Sequence, residues 1–154
     1  MNKDCWELSE LQSYVEAQRA LGKKIVTTNG CFDLLHRGHV TYLEQAKEQG
    51  DLLIVAVNSD ESVKSYKGPD RPLNTAKDRA YVLSKLRSVD AVFIFNERLP
   101  NDFLKVLKPD IHVKGGDYKA EELPEYAVLK SLGAEIVIIP FVDGYSTTSI
   151  ISKF

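Results

Sequence analysis

The sequence has 154 residues, of which 44% are hydrophobic and 27% are charged, and its 20 basic and 22 acidic side chains leave a formal net charge of −2. This composition is typical of a globular protein and excludes wholesale disorder, and the length fits one domain. The slightly acidic balance excludes a protein that binds nucleic acid through a general basic field.

Hydrophobic periodicity predicts helices and strands that alternate along the chain. The predicted helices cover residues 7–20, 37–49, 76–87, 102–107, 121–132 and 147–152. The predicted strands cover residues 24–29, 52–57, 91–95, 111–113 and 135–139. Residues 61–74 are polar and contain Gly68, Pro69 and Pro72, so we predict a surface loop there.

This alternation predicts an α/β fold, a Rossmann-like doubly wound parallel sheet with right-handed crossovers. The unbroken apolar run at residues 52–57 is typical of a strand that is buried on both faces. The apolar face of the first helix, which includes Leu11 and Val15, either covers the sheet or forms a dimer contact, and we predict the former. In such sheets ligands bind beyond the carboxyl ends of the strands, so the residues that follow each strand are the candidates for function.

Two histidines, His36 and His39, follow the first strand and open the next predicted helix. Their spacing of three places them on one helix face, and a helix N-terminus attracts anions. The two imidazoles could therefore donate hydrogen bonds to phosphate oxygens, and Gly38 between them removes a side chain where a ligand could approach. The alternatives are surface histidines without a role and a zinc site, which lacks a third and a fourth ligand at suitable spacing.

A locally basic stretch follows the second strand. For Lys64 a solvated position is the better interpretation. For Lys67, Arg71 and Arg79 a solvated loop and a phosphate clamp both remain open, since the prolines of this stretch would hold it semi-rigid.

Two further segments follow the fourth and fifth strands. The paired glycines within residues 114–118 either let the backbone approach a flat ligand or form an ordinary turn. The four hydroxyl residues at 146–149 either cap the last helix or hold a phosphate. By contrast, His112 lies within a strand, and we predict that it is structural.

Several common motifs are missing from the sequence. It contains no G-x-G-x-x-G, no G-x-x-x-x-G-K-[ST] and no G-x-S-x-G. Interpretations as a dinucleotide oxidoreductase, a P-loop kinase or an α/β-hydrolase therefore lose their main support.

The two cysteines, Cys5 and Cys31, form no C-x-x-C pair, and two cysteines do not make a disulfide framework. The N-terminal residues lack an apolar signal core, and no apolar run is long enough to cross a bilayer. We therefore expect a cytoplasmic protein with reduced thiols that binds no membrane.

The motifs resemble those of the cytidylyltransferase-like nucleotidyltransferases. The resemblance begins with H-x-G-H at residues 36–39, G-x-F-D at 30–33 and S-T-T-S at 146–149. Within that superfamily, residues 24–154 are similar to the D-glycero-β-D-manno-heptose 1-phosphate adenylyltransferase family. The segments that carry this closer match are TNGCFDLLHRGH, KGPDRP, VKGGDY and DGYSTTSI. In many bacteria this domain follows a sugar-kinase domain, and the sequence resembles the stand-alone form.

The resemblance implies an activity. Such enzymes transfer AMP from ATP to heptose 1-phosphate and release pyrophosphate, and the ADP-heptose product feeds the lipopolysaccharide core or surface glycans. It also implies Mg²⁺ bound with ATP, for which Asp33 is the candidate ligand, and a homodimer. We accordingly expect one nucleotidyltransferase domain over residues 1–154, in which an N-terminal helix within residues 1–22 precedes the core at 24–154.

The resemblance and the residue chemistry together assign roles. The predicted catalytic residues, which would neutralise and align phosphates, are His36, His39, Lys67 and Arg79. The predicted nucleotide-binding residues are Asn29, Gly30, Cys31, Phe32, Asp33, Gly38, Lys114, Gly115, Gly116, Asp117, Ser146, Thr147 and Thr148. Among them, 115–117 would line the adenine side and 146–148 would hold the β- and γ-phosphates, whereas Cys31 would be a packed small residue rather than a nucleophile.

Two alternatives remain open. A cytidylyltransferase acting on glycerol 3-phosphate or a similar polyol phosphate would share the histidine motif. Such enzymes typically carry an arginine before the hydroxyl segment and an acidic residue at position 116, whereas this sequence has FVDG at 141–144 and Gly116. A nucleotide-binding module without turnover is the second alternative, against which the intact His36 and His39 pair argues.

Overall fold

A computed structural model describes residues 3–154 of the chain and contains five strands and seven α-helices in that part. The strands are β1 (Ile25–Gly30), β2 (Leu52–Asn58), β3 (Ala91–Phe95), β4 (Ile111–Gly115) and β5 (Glu135–Ile139). The helices are α1 (Leu8–Ala20), α2 (Arg37–Lys47), α3 (Asp60–Lys67), α4 (Ala76–Ser84), α5 (Asn101–Leu107), α6 (Tyr126–Ser131) and α7 (Thr147–Ile151). None of the helices described is long and apolar enough to cross a membrane.

All neighbouring strands of the sheet are parallel, and their order is β3-β2-β1-β4-β5. The chain moves outward from β1 through β2 to β3, and then continues on the other side of β1 with β4 and β5. This confirms the predicted doubly wound sheet. The strand order reverses between β1 and β4, so the crevice for a ligand is expected at the carboxyl ends of these two strands.

Apolar side chains cover both faces of the sheet. On one face α1, α5 and α6 bury residues such as Leu11 and Phe103 against the strands. On the other face α2 and α4 bury residues such as Leu43 and Leu83. All seven residues of β2 are buried, as the unbroken apolar run predicted. Helix α1 packs against the sheet, which agrees with the predicted role of its apolar face.

Two element predictions were wrong. The predicted loop at 61–74 begins with helix α3, which the Ser59 side chain caps by accepting a hydrogen bond from the Ser62 amide at 3.2 Å. Few side chains of α3 are buried, so its polar sequence shows no helical pattern of apolar residues. The predicted helix at 121–132 is a 3₁₀ turn (Ala120–Glu122) followed by the shorter α6. Pro124 separates the two, since a proline disfavours helical backbone at the residue before it, and Leu123 is extended.

Candidate active site

A cleft of about 690 Å³ opens at the carboxyl edge of the sheet, where β1 and β4 diverge. It brings together segments that are far apart in the sequence, namely those after β1, after β4 and after β5. The predicted site residues that line it are Asn29, Gly30, Cys31, Phe32, Asp33, His36, Gly38, His39, Lys67, Lys114, Gly115, Ser146, Thr147 and Thr148. Arg79, Gly116 and Asp117 do not line it.

The two histidines form a pair at the N-terminus of α2. His36 is the N-cap residue, and its backbone N–H donates to Nδ1 of His39 at 3.3 Å. The two rings stack with their centroids 3.9 Å apart. Since Nδ1 of His39 accepts this hydrogen bond, the proton of its neutral ring lies on Nε2. The ring of His39 is thus prepared to donate a hydrogen bond from Nε2.

Both histidines are uncharged at neutral pH. Burial lowers the pKa of His36. Burial also lowers the pKa of His39. Together with the charge of Lys67, and that of His36 when it is protonated, burial brings the pKa of His39 to about 4. The pair therefore offers hydrogen-bond donors rather than fixed charge. Positive charge in the cleft comes instead from the side chains of Lys67, Arg71 and Lys114 and from the N-terminus of α2.

Gly38 makes room for a protein side chain. A Cβ at this position would lie 2.9 Å from Cε1 and Nδ1 of His36 and 3.1 Å from Cβ of Tyr145. The glycine thus accommodates the imidazole of His36, rather than giving the ligand a direct approach as the sequence suggested.

Asp33 connects two segments that border the cleft. Its side chain accepts hydrogen bonds from the backbone N–H groups of Leu73 and Asn74, and from Nε of Arg71 at 2.9 Å. Burial by itself would raise the pKa of this carboxyl, but these hydrogen bonds and the charge of Arg71 hold the pKa below its usual range. The carboxylate joins the turn after β1 to the loop before α4.

The predicted role of Asp33 as a metal ligand does not fit this geometry. Its two oxygens are already engaged by backbone N–H groups and by an arginine, and the residue is only 3% exposed. Among residues 3–154, no group of three or more His, Cys, Asp or Glu side chains is placed to hold a metal ion.

Arg79 also has a different role from the predicted one. Its side chain is fully buried, and the guanidinium donates to the carbonyl oxygens of Cys31 at 2.7 Å and Asn74 at 3.0 Å. It also pairs with the Asp60 carboxylate at 2.8 Å. With its donors committed in this way, Arg79 supports the backbone beneath the cleft instead of contacting a phosphate, which corrects the prediction from the sequence.

The two glycines at the end of β4 accommodate aromatic rings. Gly116 has a φ of +133°, and a Cβ there would lie 2.5 Å from Cε2 of Tyr118. A Cβ at Gly115 would meet the rings of Tyr42 and Phe141. The backbone at 115–116 is therefore covered by aromatic side chains, and of the predicted adenine-side residues only Gly115 faces the cleft.

The hydroxyl residues before and within α7 have different roles. The Ser146 hydroxyl accepts a hydrogen bond from the Ser149 amide at 3.0 Å and so caps the helix. The Thr147 hydroxyl donates to the Leu34 carbonyl at 3.1 Å, which ties α7 to the loop before His36. Thr148 is exposed at the cleft.

Several cleft residues were not among the predicted site residues. These are Tyr42, Tyr118 and the segment 140–145. Arg71 also lines the cleft; the sequence left a phosphate clamp open for it but assigned it no role. Tyr42 lies three residues after His39 and therefore on the same helix face, so its spacing was a usable signal. Its hydroxyl donates to the Val113 carbonyl and pairs with the Thr28 hydroxyl, which joins α2 to β4 and β1. Phe141 comes directly after β5, where the carboxyl-end rule points.

Comparison with known proteins agrees with this geometry. Residues 27–153 match the cytidylyltransferase-like family. The chain is 56% identical over 132 residues to the bifunctional protein HldE of a Nitratiruptor species, covering 86% of this chain and 28% of that protein. It is 48% identical over 144 residues to the bifunctional protein HldE of Aliarcobacter butzleri, covering 94% of this chain and 29% of that protein. The chain thus spans less than a third of the length of these curated relatives.

A solved structure is also similar. The lipopolysaccharide core biosynthesis protein from Thermoplasma volcanium superposes with a TM-score of 0.66 at 30% identity, covering 81% of this chain and 100% of that one. Together with the HldE matches, this confirms the resemblance that the motifs indicated.

Proposed function

The chain belongs to the cytidylyltransferase-like family, and from this membership and the cleft we propose that it transfers AMP from ATP to D-glycero-β-D-manno-heptose 1-phosphate. The products are ADP-heptose and pyrophosphate. The observation that carries the proposal is the stacked pair of His36 and His39 at the N-terminus of α2, which opens into the cleft where β1 and β4 diverge.

The reaction needs little acid–base chemistry from the protein. A phosphate oxygen of the sugar phosphate attacks the α-phosphorus of ATP. The bond from that phosphorus to the oxygen that bridges to the β-phosphate breaks, and pyrophosphate leaves with the electron pair. A phosphate monoester has a second pKa of about 6, so the attacking oxygen is already anionic at neutral pH. This suits a cleft whose histidines are neutral hydrogen-bond donors.

The cleft residues would align the phosphates and offset their charge. Nε2–H of His39 and the ring of His36 would donate to oxygens on the α-phosphate and the leaving pyrophosphate, where charge develops. Lys67, Arg71 and Lys114 would supply positive charge. Thr148 would donate to the β- or γ-phosphate. Mg²⁺ would enter with the phosphates of ATP, since this ion commonly binds through substrate phosphates and few protein ligands, and we assign no step to a metal held by the chain.

The biological setting is part of the proposal. We place the product in lipopolysaccharide core or surface-glycan synthesis and the protein in the cytoplasm, where ATP is available. Residues 24–154 would form the nucleotidyltransferase unit, to which α1 adds a cover on one sheet face. The proposed assembly is a homodimer, which light scattering coupled to gel filtration would test.

The decisive measurement is pyrophosphate release with Mg²⁺, comparing ATP, CTP, GTP and UTP in parallel, with heptose 1-phosphate and, separately, glycerol 3-phosphate as the acceptor. We expect release with ATP, and a matched protein with both His36 and His39 changed to alanine serves as the inactive control. Release with CTP and glycerol 3-phosphate instead would establish a cytidylyltransferase. Tight ATP binding without pyrophosphate release in the presence of either acceptor would establish a binding module.

A further inference from the structure

A buried polar cluster lies beneath the cleft. His112 and Glu125 are 0% and 1% exposed, although both carry groups that can titrate. Nδ1 of His112 lies 2.7 Å from the Thr27 hydroxyl. Oε1 of Glu125 lies 3.7 Å from Nε2 of His112 and 3.5 Å from Nζ of Lys114. Buried titratable groups are costly in a core unless they are paired, and here Nε2 of His112 and Oε1 of Glu125 make no hydrogen bond within residues 3–154.

The cluster connects the core to the cleft. His112 and Lys114 are two residues apart in β4 and therefore project from the same sheet face. Glu125 approaches that face from the residue before α6. Lys114 forms the end of the cluster and lines the cleft, and its ammonium also donates to Oδ1 of Asn29 at 3.2 Å. Only the Lys114 side chain thus separates the buried carboxylate from the cleft.

The charge states of the cluster follow from its surroundings. Burial lowers the pKa of His112 and of Lys114. Burial would raise the pKa of Glu125, but His112 and Lys114 beside it outweigh this and lower it. The arrangement is therefore a carboxylate paired with an ammonium, beside a neutral imidazole. Nδ1 of that imidazole pairs with the Thr27 hydroxyl, and its Nε2 lies 3.7 Å from Glu125, which is too far for a hydrogen bond. The titratable groups facing Lys114 are Glu125, from before α6, and His112, from β4, and β1 contributes the uncharged Asn29.

From this geometry we infer that Glu125 is a positioning residue for the proposed reaction, which keeps Lys114 protonated and directs one of its N–H groups to a substrate phosphate oxygen. The ammonium has three donors. Asn29 accepts a hydrogen bond from this ammonium at 3.2 Å, and the Glu125 carboxylate forms an ion pair with it at 3.5 Å. Lys114 also lines the cleft, where a further N–H is available to a ligand. The inference rests on the proposed function for the identity of the ligand, which is a phosphate oxygen of either ATP or the sugar phosphate.

The test compares Glu125→Gln with Glu121→Gln, which makes the same change at an exposed residue four positions earlier. The first readout is the rate at which Lys114 is acetylated by trace acetic anhydride, followed by peptide mass spectrometry across pH. We expect the apparent pKa of Lys114 to fall in Glu125→Gln by about one unit or more, since an ammonium without its counter-charge is disfavoured by burial. It should not move in Glu121→Gln. This readout does not depend on catalysis.

The second readout is the kinetics of pyrophosphate release. In Glu125→Gln, the KM for one substrate should rise by about tenfold, a typical cost for losing a charge-assisted contact. The alkaline limb of kcat/KM should move to lower pH, which a merely structural role would not cause. A rise in the KM for ATP would place Lys114 on the nucleotide, and a rise in the KM for heptose 1-phosphate would place it on the acceptor.

A double variant separates positioning from support of the core. Adding Glu125→Gln to Lys114→Met should leave the kinetic constants close to those of Lys114→Met alone, because the effect of Glu125 passes through the ammonium of Lys114. If Glu125→Gln alone does not fold, the double variant should fold, since it no longer buries an unpaired charge.

The inference is overturned if Glu125→Gln leaves the pKa of Lys114 and both KM values unchanged. It is also overturned if the change lowers activity equally in the Lys114→Met background, or if the double variant fails to fold. A wild-type protein that releases no pyrophosphate would count against the proposed function alone, because the acetylation profile still decides whether Glu125 holds Lys114 protonated.

Discussion

The imidazole rings of His36 and His39 stack with an angle of 29° between their planes, and the backbone N–H of the first donates to the ring of the second. This contact sets both the orientation and the tautomer of His39 before any ligand binds. Preorganised donors of this kind are worth far more than mobile ones, because they cost no rearrangement during the reaction.

His36→Ala and His39→Ala should each lower kcat for pyrophosphate release by a factor on the order of 10²–10³, the typical cost of removing one preorganised donor. Steady-state assays with ATP and heptose 1-phosphate measure this, with Arg37→Ala, an exposed residue of the same helix turn, as the control. A decrease smaller than about tenfold in a folded variant would contradict the role assigned to that histidine.

The stability of the folded protein should decrease between pH 6.5 and pH 4 in part through His39. Its pKa is about 4 when folded against 6.5 ordinarily, so the unfolded chain takes up the proton first as the pH falls. Between pH 7 and pH 5, this costs on the order of 1–2 kcal/mol after allowance for solvent screening.

Urea unfolding of wild type and His39→Asn at the two pH values checks this. The asparagine has no proton to gain, so its loss between pH 7 and pH 5 should be smaller than that of wild type by the stated amount. Equal losses in the two proteins would show that His39 does not contribute.

Arg79→Lys should weaken the fold more than it weakens substrate binding. A lysine cannot reach the carbonyls of Cys31 and Asn74 and the Asp60 carboxylate together, so these partly buried acceptors lose their donor, whereas the cation itself stays buried. We expect a loss of about 2–4 kcal/mol in the free energy of unfolding, measured by urea titration. A variant as stable as wild type with a raised KM for ATP would instead support direct phosphate binding by Arg79.

Cys31→Ala should keep most of the activity, even though Cys31 lines the cleft. Burial raises the pKa of its thiol despite the nearby Lys67 and Arg79, so the group is not a thiolate at neutral pH. Pyrophosphate release by the variant measures this. Near-total loss in a folded protein would indicate a chemical role for the sulfur.

Local patterns were sufficient to predict much of the molecule. The doubly wound sheet followed from the alternation of two hydrophobic periods, and β2 followed from one continuous apolar run, since periodicity reflects which faces are buried. The placement of His36 and His39 at a helix N-terminus also depends only on neighbouring residues. Helix α3 escaped prediction because too little of it is buried to leave a periodic pattern, and the break before α6 followed from Pro124, which the prediction overlooked.

The sequence by itself thus determined the parallel sheet and the histidine pair, because hydrophobic periodicity and motif spacing are local. The location of the cleft at the carboxyl edge followed from the parallel sheet. Only the tertiary structure decided which charged residues face the ligand. Asp33 pairs with Arg71 across 38 positions, and Arg79 reaches Cys31 across 48. An exposed phosphate-binding arginine and a buried supporting one have the same side chain, and the difference lies in the acceptors that folding brings within about 3 Å of Arg79, the usual length of a hydrogen bond.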